Sequence, residues 1–263
     1  MMSKLVLLLT ALQAVAFDEI KVMTWDIDGV KREAIVYSPT PKRVAAKAPV
    51  VLAFHGHGDT AENYQGAELE KSWPQAIVVY PQGLPSSRDG ASGWQVERGK
   101  DGDRDLKFVD QMLATLHKQF MVDDARIYST GFSNGANFTY LLWAERPNVF
   151  AAFAPVAARI LPSVQLTVPK PVFHIGGTAD RQIVFADQKQ AIEAARRANN
   201  ATGKGETCGF HCTRYQSAGG APVITLIHNE GHVYPDEVSP MIMEFFRKHP
   251  LTGQNATRSS KMN

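Results

Sequence analysis

Ser133, Asp180 and His232 have the residue types and the order along the chain that nucleophilic acyl chemistry requires. Ser133 is the centre of Gly131-Phe132-Ser133-Asn134-Gly135, which occurs once, directly after a strand-like segment and directly before a helix-like one. A Gly-x-Ser-x-Gly turn in that setting holds a serine hydroxyl on a strained corner at a sheet edge, with glycines where neighbouring backbone must pass. A serine hydroxyl is a poor nucleophile at neutral pH. It needs a histidine to take its proton and a carboxylate to orient that histidine. Asp180 follows the apolar run 171–175 through Gly176-Gly177-Thr178-Ala179, and His232 lies just past the apolar run 223–228. Both are therefore expected at the same sheet edge as Ser133. Asp187 falls inside a predicted helix, Asp236 is too near His232 in sequence to reach its far side, and His174 and His228 fall within predicted strands.

The oxyanion of a tetrahedral intermediate needs two N–H donors. One is expected from the backbone of Asn134, at the start of the helix whose N-terminus favours negative charge. The other is expected from His57 in the turn His55-Gly56-His57-Gly58-Asp59, with Gly56 as the alternative. His55, His57 and Asp59 could instead hold a metal, but they sit on a turn rather than on one helix face. The hydrolase-loop reading accounts for them with no metal and no cofactor. Trp94, Phe132 and Tyr234 are the candidate substrate contacts, each with a core role as the alternative. The rate of such a chemistry should rise as the base deprotonates.

These residues must be positioned by alternating strands and helices. Segments 20–25 and 33–37 read as an opening antiparallel pair turned at residues 26–29. Segments 49–54 and 76–80 are continuous β-branched runs, as strands buried on both faces require. Residues 103–120 place Leu106, Val109, Leu113, Leu116 and Phe120 on one helical stripe. A short strand at 126–129, a helix at 134–145, strands at 150–156 and 171–175, a helix at 182–198, a last strand at 223–228 and a closing helix at 239–248 complete the pattern. That alternation predicts an α/β fold with a mostly parallel central sheet and helices on both faces. Only about a dozen residues separate the strands at 150–156 and 171–175, too few for a cap domain, so the site is expected to be open.

The chain has 263 residues, 44% of them hydrophobic and 21% charged, with a formal net charge of +2. These values suit one domain, taken as residues 17–250. They give no basic surface for nucleic acid and no anionic-membrane signal. Residues 1–16 read as a cleavable signal peptide: Lys4, then an apolar stretch from Leu5 to Leu12, then Ala14-Val15-Ala16. A secreted protein, extracellular or periplasmic, is expected, with a polar, aperiodic and disordered tail over 251–263. In an oxidising compartment Cys208 and Cys212 would bridge and staple a loop; the alternative is half a metal site with His211.

The chain resembles the secreted polyhydroxybutyrate-depolymerase and feruloyl-esterase group of α/β-hydrolase esterases. The residues that carry the resemblance are His55-Gly56, Tyr80-Pro81-Gln82-Gly83, Ser92-Gly93-Trp94, Asp105-Leu106-Lys107-Phe108-Val109, the Ser133 turn, Gly177-Thr178-Ala179-Asp180 and Gly231-His232-Val233-Tyr234-Pro235. The likeness runs over about residues 20–248. It implies a Ser-Asp-His esterase without a cofactor, acting on hydroxycinnamoyl esters of plant polysaccharide or on polyesters. Its substrate would be an ester, polymer-attached or free. The chain departs from the group at Tyr234, where tryptophan is frequent, at His57, where small residues are frequent, and in the placement of its cysteines.

Overall fold

A computed structural model of the chain describes residues 19–39 and 47–251. The expected signal peptide and nearly all of the expected tail lie outside these residues. Leu251 is the exception: its N–H donates to the Ala125 carbonyl at 2.8 Å.

The chain opens with β1 (Glu19–Ile27) and β2 (Val30–Ser38), followed by β3 (Ala48–Phe54). Two short helices, α1 (Ala61–Tyr64) and α2 (Leu69–Ser72), precede β4 (Ile77–Pro81). A two-stranded ribbon, β5 (Leu84–Pro85) and β6 (Ser92–Gly93), leads to α3 (Arg104–Gln119). Then come β7 (Val122–Phe132), α4 (Asn134–Glu145), β8 (Ala152–Val156), β9 (Val172–Gly177) and α5 (Phe185–Ala198). The hairpin β10 (Glu206–Gly209) and β11 (Cys212–Tyr215), β12 (Val223–His228) and α6 (Val238–Arg247) complete the chain. The sheet order is β1-β2-β4-β3-β7-β8-β9-β12-β11-β10. Its middle, from β4 to β12, is parallel, and an antiparallel pair flanks each end. This is the expected α/β architecture.

Alternation along each central strand explains why both faces are covered. In β3, Val50, Leu52 and Phe54 pack with α3, α4 and α5, while Val51 and Ala53 pack with α1, α2 and α6. A strand with a helix layer on each face has no polar side, which is why these runs are apolar throughout. Residues 157–171, between β8 and β9, form no helix or strand, so no cap rises there.

Four expectations need correction. The short strand expected at 126–129 is the eleven-residue β7, Val122–Phe132. The first turn is tighter than residues 26–29: β1 continues to Ile27, and only Asp28 and Gly29 turn, both with positive φ (53° and 81°). That is the geometry a two-residue hairpin prefers. The helix expected from 182 begins at Phe185, because the Asp180 carboxylate draws the chain into a turn first. The β10–β11 hairpin was not foreseen. It carries the Cys208–Cys212 disulfide, so the cysteines bridge as expected and leave no thiolate for a metal.

Candidate functional site

Ser133 sits between β7 and α4 at φ 55°, ψ −116°. A non-glycine residue held there stores strain of about 1–3 kcal/mol, and it persists only because the surroundings fix it. The two flanking glycines are those surroundings. A Cβ on Gly135 would lie 2.1 Å from the Phe54 carbonyl oxygen, and one on Gly131 would lie 2.6 Å from the Gly135 carbonyl carbon. The Ser133 N–H donates to the Val156 carbonyl at 2.9 Å, tying the corner to β8.

The parallel register of β9 and β12 sends their following loops out side by side. Ile227 pairs with Gly176 and His228 with Gly177. Beyond the strands, Thr178 N–H donates to the His228 carbonyl at 2.9 Å and Ala179 N–H to the Glu230 carbonyl at 3.1 Å. The loops that carry Asp180 and His232 are thus laced together. His232 Nδ1 lies 2.8 Å from Asp180 Oδ2, and His232 Nε2 lies 2.8 Å from Ser133 Oγ. With Nδ1–H donating to the carboxylate, Nε2 is left to accept from the serine hydroxyl. The three sequence-predicted side chains therefore form one continuous hydrogen-bonded line. The His232 ring also packs on Phe132, with centroids 4.8 Å apart.

Asp180 is buried and held from every side. Its Oδ1 accepts from the backbone N–H groups of Gln182 (2.8 Å) and Ile183 (3.0 Å). Its Oδ2 accepts from His232 and also from Gln188 Nε2 at 3.0 Å. Gln188 is fully buried, and its amide also donates to the Ile183 carbonyl at 2.7 Å. Sequence reasoning missed Gln188, since a glutamine on a helix gives no local sign of burial. A signal existed on β9 instead: a Cβ on Gly176 would fall 2.0 Å from Gln188 Oε1, so that glycine makes room for the amide.

Behind Gln188 lies His174, fully buried on β9, with Nδ1 2.9 Å from the Tyr140 hydroxyl. Burial drives its pKa down to about 4. A histidine that stays neutral in the folded protein takes up its proton first in the unfolded chain, whose value is about 6.5. The stability from this group is therefore complete above about pH 6.5 and is lost as pH falls towards 4, by roughly 3 kcal/mol. The expected result is a urea-unfolding stability that drops between pH 7 and 4.5 more steeply in the wild type than in His174→Leu. Equal slopes would show that His174 is not a buried neutral group.

The remaining candidates fall into two sets. The N–H groups of His57 and Asn134 both take part in no turn or loop hydrogen bond among the described residues. The Asn134 side chain has a job that the sequence did not suggest: its Oδ1 accepts from Trp94 N–H at 2.7 Å and its Nδ2 donates to the Trp94 carbonyl at 3.1 Å. Trp94 itself is only 6% exposed. Its indole N–H donates to the His55 carbonyl at 2.9 Å and its ring stacks on Phe138, so most of it is core and only its edge reaches the site. His55 is fully buried, with Nδ1 2.7 Å from the Gly56 carbonyl and Nε2 accepting from Gly83 N–H at 2.9 Å. That pairing joins β3 to the segment after β4. His57 points away from His55 and pairs with Asp89 at 2.9 Å. Arg88, which also contacts Asp89, is the chief reason that its carboxyl is pulled down to about 2.

Two clefts open on either side of this line. One, of about 300 Å³, is lined by Ser133, Asn134, His57, Trp94 and Ile183, with Arg88, Lys100, Arg104 and Arg159 around it. The other, of about 460 Å³, is lined by Phe132, Tyr234 and Tyr64, with Asp59, Glu68 and Asp236 at its rim. Phe132 and Tyr234 thus stand on the far side of the histidine from Trp94, and the Tyr234 hydroxyl lies 2.9 Å from Ser239 Oγ.

No protein-family model matches the chain. A bifunctional acetylxylan esterase/xylanase of Neocallimastix patriciarum is 32% identical over 159 residues, which are 58% of this chain and 22% of that protein. A poly(3-hydroxyalkanoate) depolymerase of Paucimonas lemoignei is 27% identical over 244 residues, covering 76% of this chain and 58% of the other. The chain therefore spans less than two thirds of the length of either relative. Among solved structures, an acetyl xylan esterase from Aspergillus awamori superposes with a TM-score of 0.68 at 18% identity, covering 88% of this chain and 99% of the other. The chain thus shares the fold of that esterase structure and is similar in sequence to an acetylxylan esterase and a polyester depolymerase.

Proposed function

We propose that this protein is a serine carboxylic-ester hydrolase in which Ser133 is the nucleophile, His232 the general base and acid, and Asp180 the group that orients His232. The observation that carries this reading is the unbroken pair of 2.8 Å contacts from Ser133 Oγ through His232 to Asp180, with the serine held at a strained corner. Ser133 Oγ attacks the ester carbonyl as its proton passes to His232 Nε2. The N–H groups of Asn134 and His57 receive the oxyanion, at a helix N-terminus that favours the charge. The tetrahedral intermediate collapses, and the alcohol leaves with the proton from His232. Water then repeats the sequence on the acyl-serine and releases the acid. Every step is carried by the chain's own residues.

The names of the relatives favour an acetylated xylan or a poly(3-hydroxyalkanoate) as the substrate, and the resemblance carried by the motifs adds feruloyl esters. Export is part of the same proposal: it rests on the sequence of residues 1–16 and on the disulfide, which oxidising compartments preserve. Initial rates on p-nitrophenyl butyrate, acetylated xylan, methyl ferulate and a hydroxybutyrate oligomer test the activity, with Ser133→Ala as the control. Turnover that depends on Ser133 is the expected result, and the preferred ester names the class. An absence of Ser133-dependent turnover on all four would overturn the proposal and favour a non-catalytic polysaccharide-binding role.

Gln188 enters this mechanism as a positioning residue. A hydrogen bond to a charged group is worth roughly 1.5–3 kcal/mol, which caps its catalytic effect at about ten- to a hundredfold. Gln188→Leu should lower kcat about tenfold with KM unchanged. Gln188→Glu should do more, by setting a second carboxylate beside Asp180. Steady-state kinetics on any accepted ester decides: a purely structural role would instead lower the melting temperature and leave kcat per folded molecule unchanged.

A further inference from the structure

The two clefts beside Ser133 differ in the sign of their charge. Arg88, Lys100, Arg104 and Arg159 line the cleft into which Ser133 opens, with Asp101 the acidic residue on its wall. Asp59, Glu68 and Asp236 line the other, and no arginine or lysine does. The net charge of the chain is only +2, so this separation is local rather than a reflection of composition.

The cations in the first cleft are not equally neutralised. Arg88 is paired with Asp89 at 2.8 Å, and its charge is largely met. Arg104 Nε lies 3.9 Å from Asp105 Oδ2, but Asp105 is already the partner of Arg32, and Arg104 Nε is buried without a hydrogen bond. One carboxylate there serves two guanidinium groups. Lys100 and Arg159 are exposed and form no ion pair among the described residues. Unmatched cations around a partly enclosed space raise the local concentration of anions, and low-dielectric walls strengthen the effect. The same wall carries the side-chain amides of Gln182 and Asn137, which can hydrogen-bond hydroxyl groups.

We propose that this cleft binds a hydroxylated carboxylate, a uronic acid residue, and that the preferred substrate is an ester of an acidic polysaccharide rather than of a neutral polymer. The assignment rests on the esterase reading for its reaction but not for its binding. The carboxylate would lie near Lys100, Arg104 and Arg159, and the ester carbonyl at Ser133. The opposite cleft, lined by carboxylates, repels that group, so the charge pattern also fixes which way along the site the sugar chain runs.

The test compares acetylated xylotetraose with the same oligosaccharide bearing a glucuronic acid branch. The wild type should show a kcat/KM roughly tenfold higher on the branched ester at low ionic strength. The advantage should disappear at about 0.5 M salt, where exposed charges are screened within a few ångströms. The double variant Lys100→Gln/Arg159→Gln should lose it as well, with kcat/KM on the branched ester falling to the value on the neutral one. Both residues are exposed, so folding is not at stake. Titration calorimetry of the Ser133→Ala protein with the unacetylated branched and unbranched tetrasaccharides supplies a readout free of catalysis. Tighter binding of the branched sugar, weakened by the double substitution, is expected there even if no ester is turned over. That result would separate failure of the esterase reading from failure of this one. Equal binding of the two sugars, or a preference that survives the double substitution, would overturn the assignment.

Discussion

Ser133→Ala, His232→Ala and the double variant should all lose turnover by nearly the same factor, on the order of 10⁵ to 10⁶. The reason is that the two side chains act as a unit. Without His232 the hydroxyl keeps its proton, and without Ser133 the imidazole has no nucleophile to serve. The second substitution therefore removes nothing that the first had left. Asp180→Asn should cost less, because the carboxylate acts only by orienting His232 and by stabilising the imidazolium. A factor nearer 10⁴ is expected for it. What should remain in the double variant is the contribution of the proposed oxyanion donors at Asn134 and His57, about 10³-fold over water. Stopped assays on the best ester of the panel measure all four values. If the single losses multiply in the double variant, Ser133 and His232 act independently and the 2.8 Å contact between them is not part of catalysis.

Much of this was legible in the sequence where one local pattern determined one outcome. The helix Asn134–Glu145 and the strand Val223–His228 lie where apolar periodicity puts them, because each is covered by its neighbours over its whole length. The site followed from sheet topology: three loops that leave the same edge must meet, whatever their separation along the chain. The sequence was silent where a structure depends on partners distant along the chain. In β10, Glu206–Gly209 is exposed at every position and its register shifts at Gly209, so no alternation marks it as a strand. Gln188 is polar on a helix whose other polar residues face solvent, and only a glycine on another element hints at its burial. Trp94 and His55 sit in motifs that suggest substrate contact, yet both are fixed chiefly by backbone carbonyls and amides inside the protein.

The pair Arg32–Asp105 is the clearest case of such silence, and its disruption should have the largest effect on stability. Arg32 stands on β2 in the inward register of Ala34 and Val36, a charge where the alternation calls for an apolar residue. That misfit is the signal a period-two count could have caught. Both side chains are fully buried, 2.8 Å apart. Burial pulls the Arg32 guanidinium below its ordinary value, and Asp105 works against that shift. The other carboxylate oxygen accepts from Gln95 N–H at 2.8 Å, which ties down the segment carrying Trp94. Asp105→Ala leaves a buried charge without a partner, at a cost of about 3–5 kcal/mol. For a domain of this size that is roughly 8–15 °C in melting temperature. Replacing both, Arg32→Met with Asp105→Leu, should restore most of the loss, since two desolvated charges attract each other little more than their burial costs. Thermal unfolding of the wild type and these two variants checks this, and a double variant no more stable than Asp105→Ala alone would mean that packing rather than charge sets the cost. The double variant should still be the poorer enzyme. Trp94 N–H holds Asn134 Oδ1, and Asn134 N–H is the proposed oxyanion donor, so a Gln95 segment freed from Asp105 relaxes the group that must meet the developing charge. The buried pair then serves the site more than the fold, which gives a reason for a charge to occupy an apolar register.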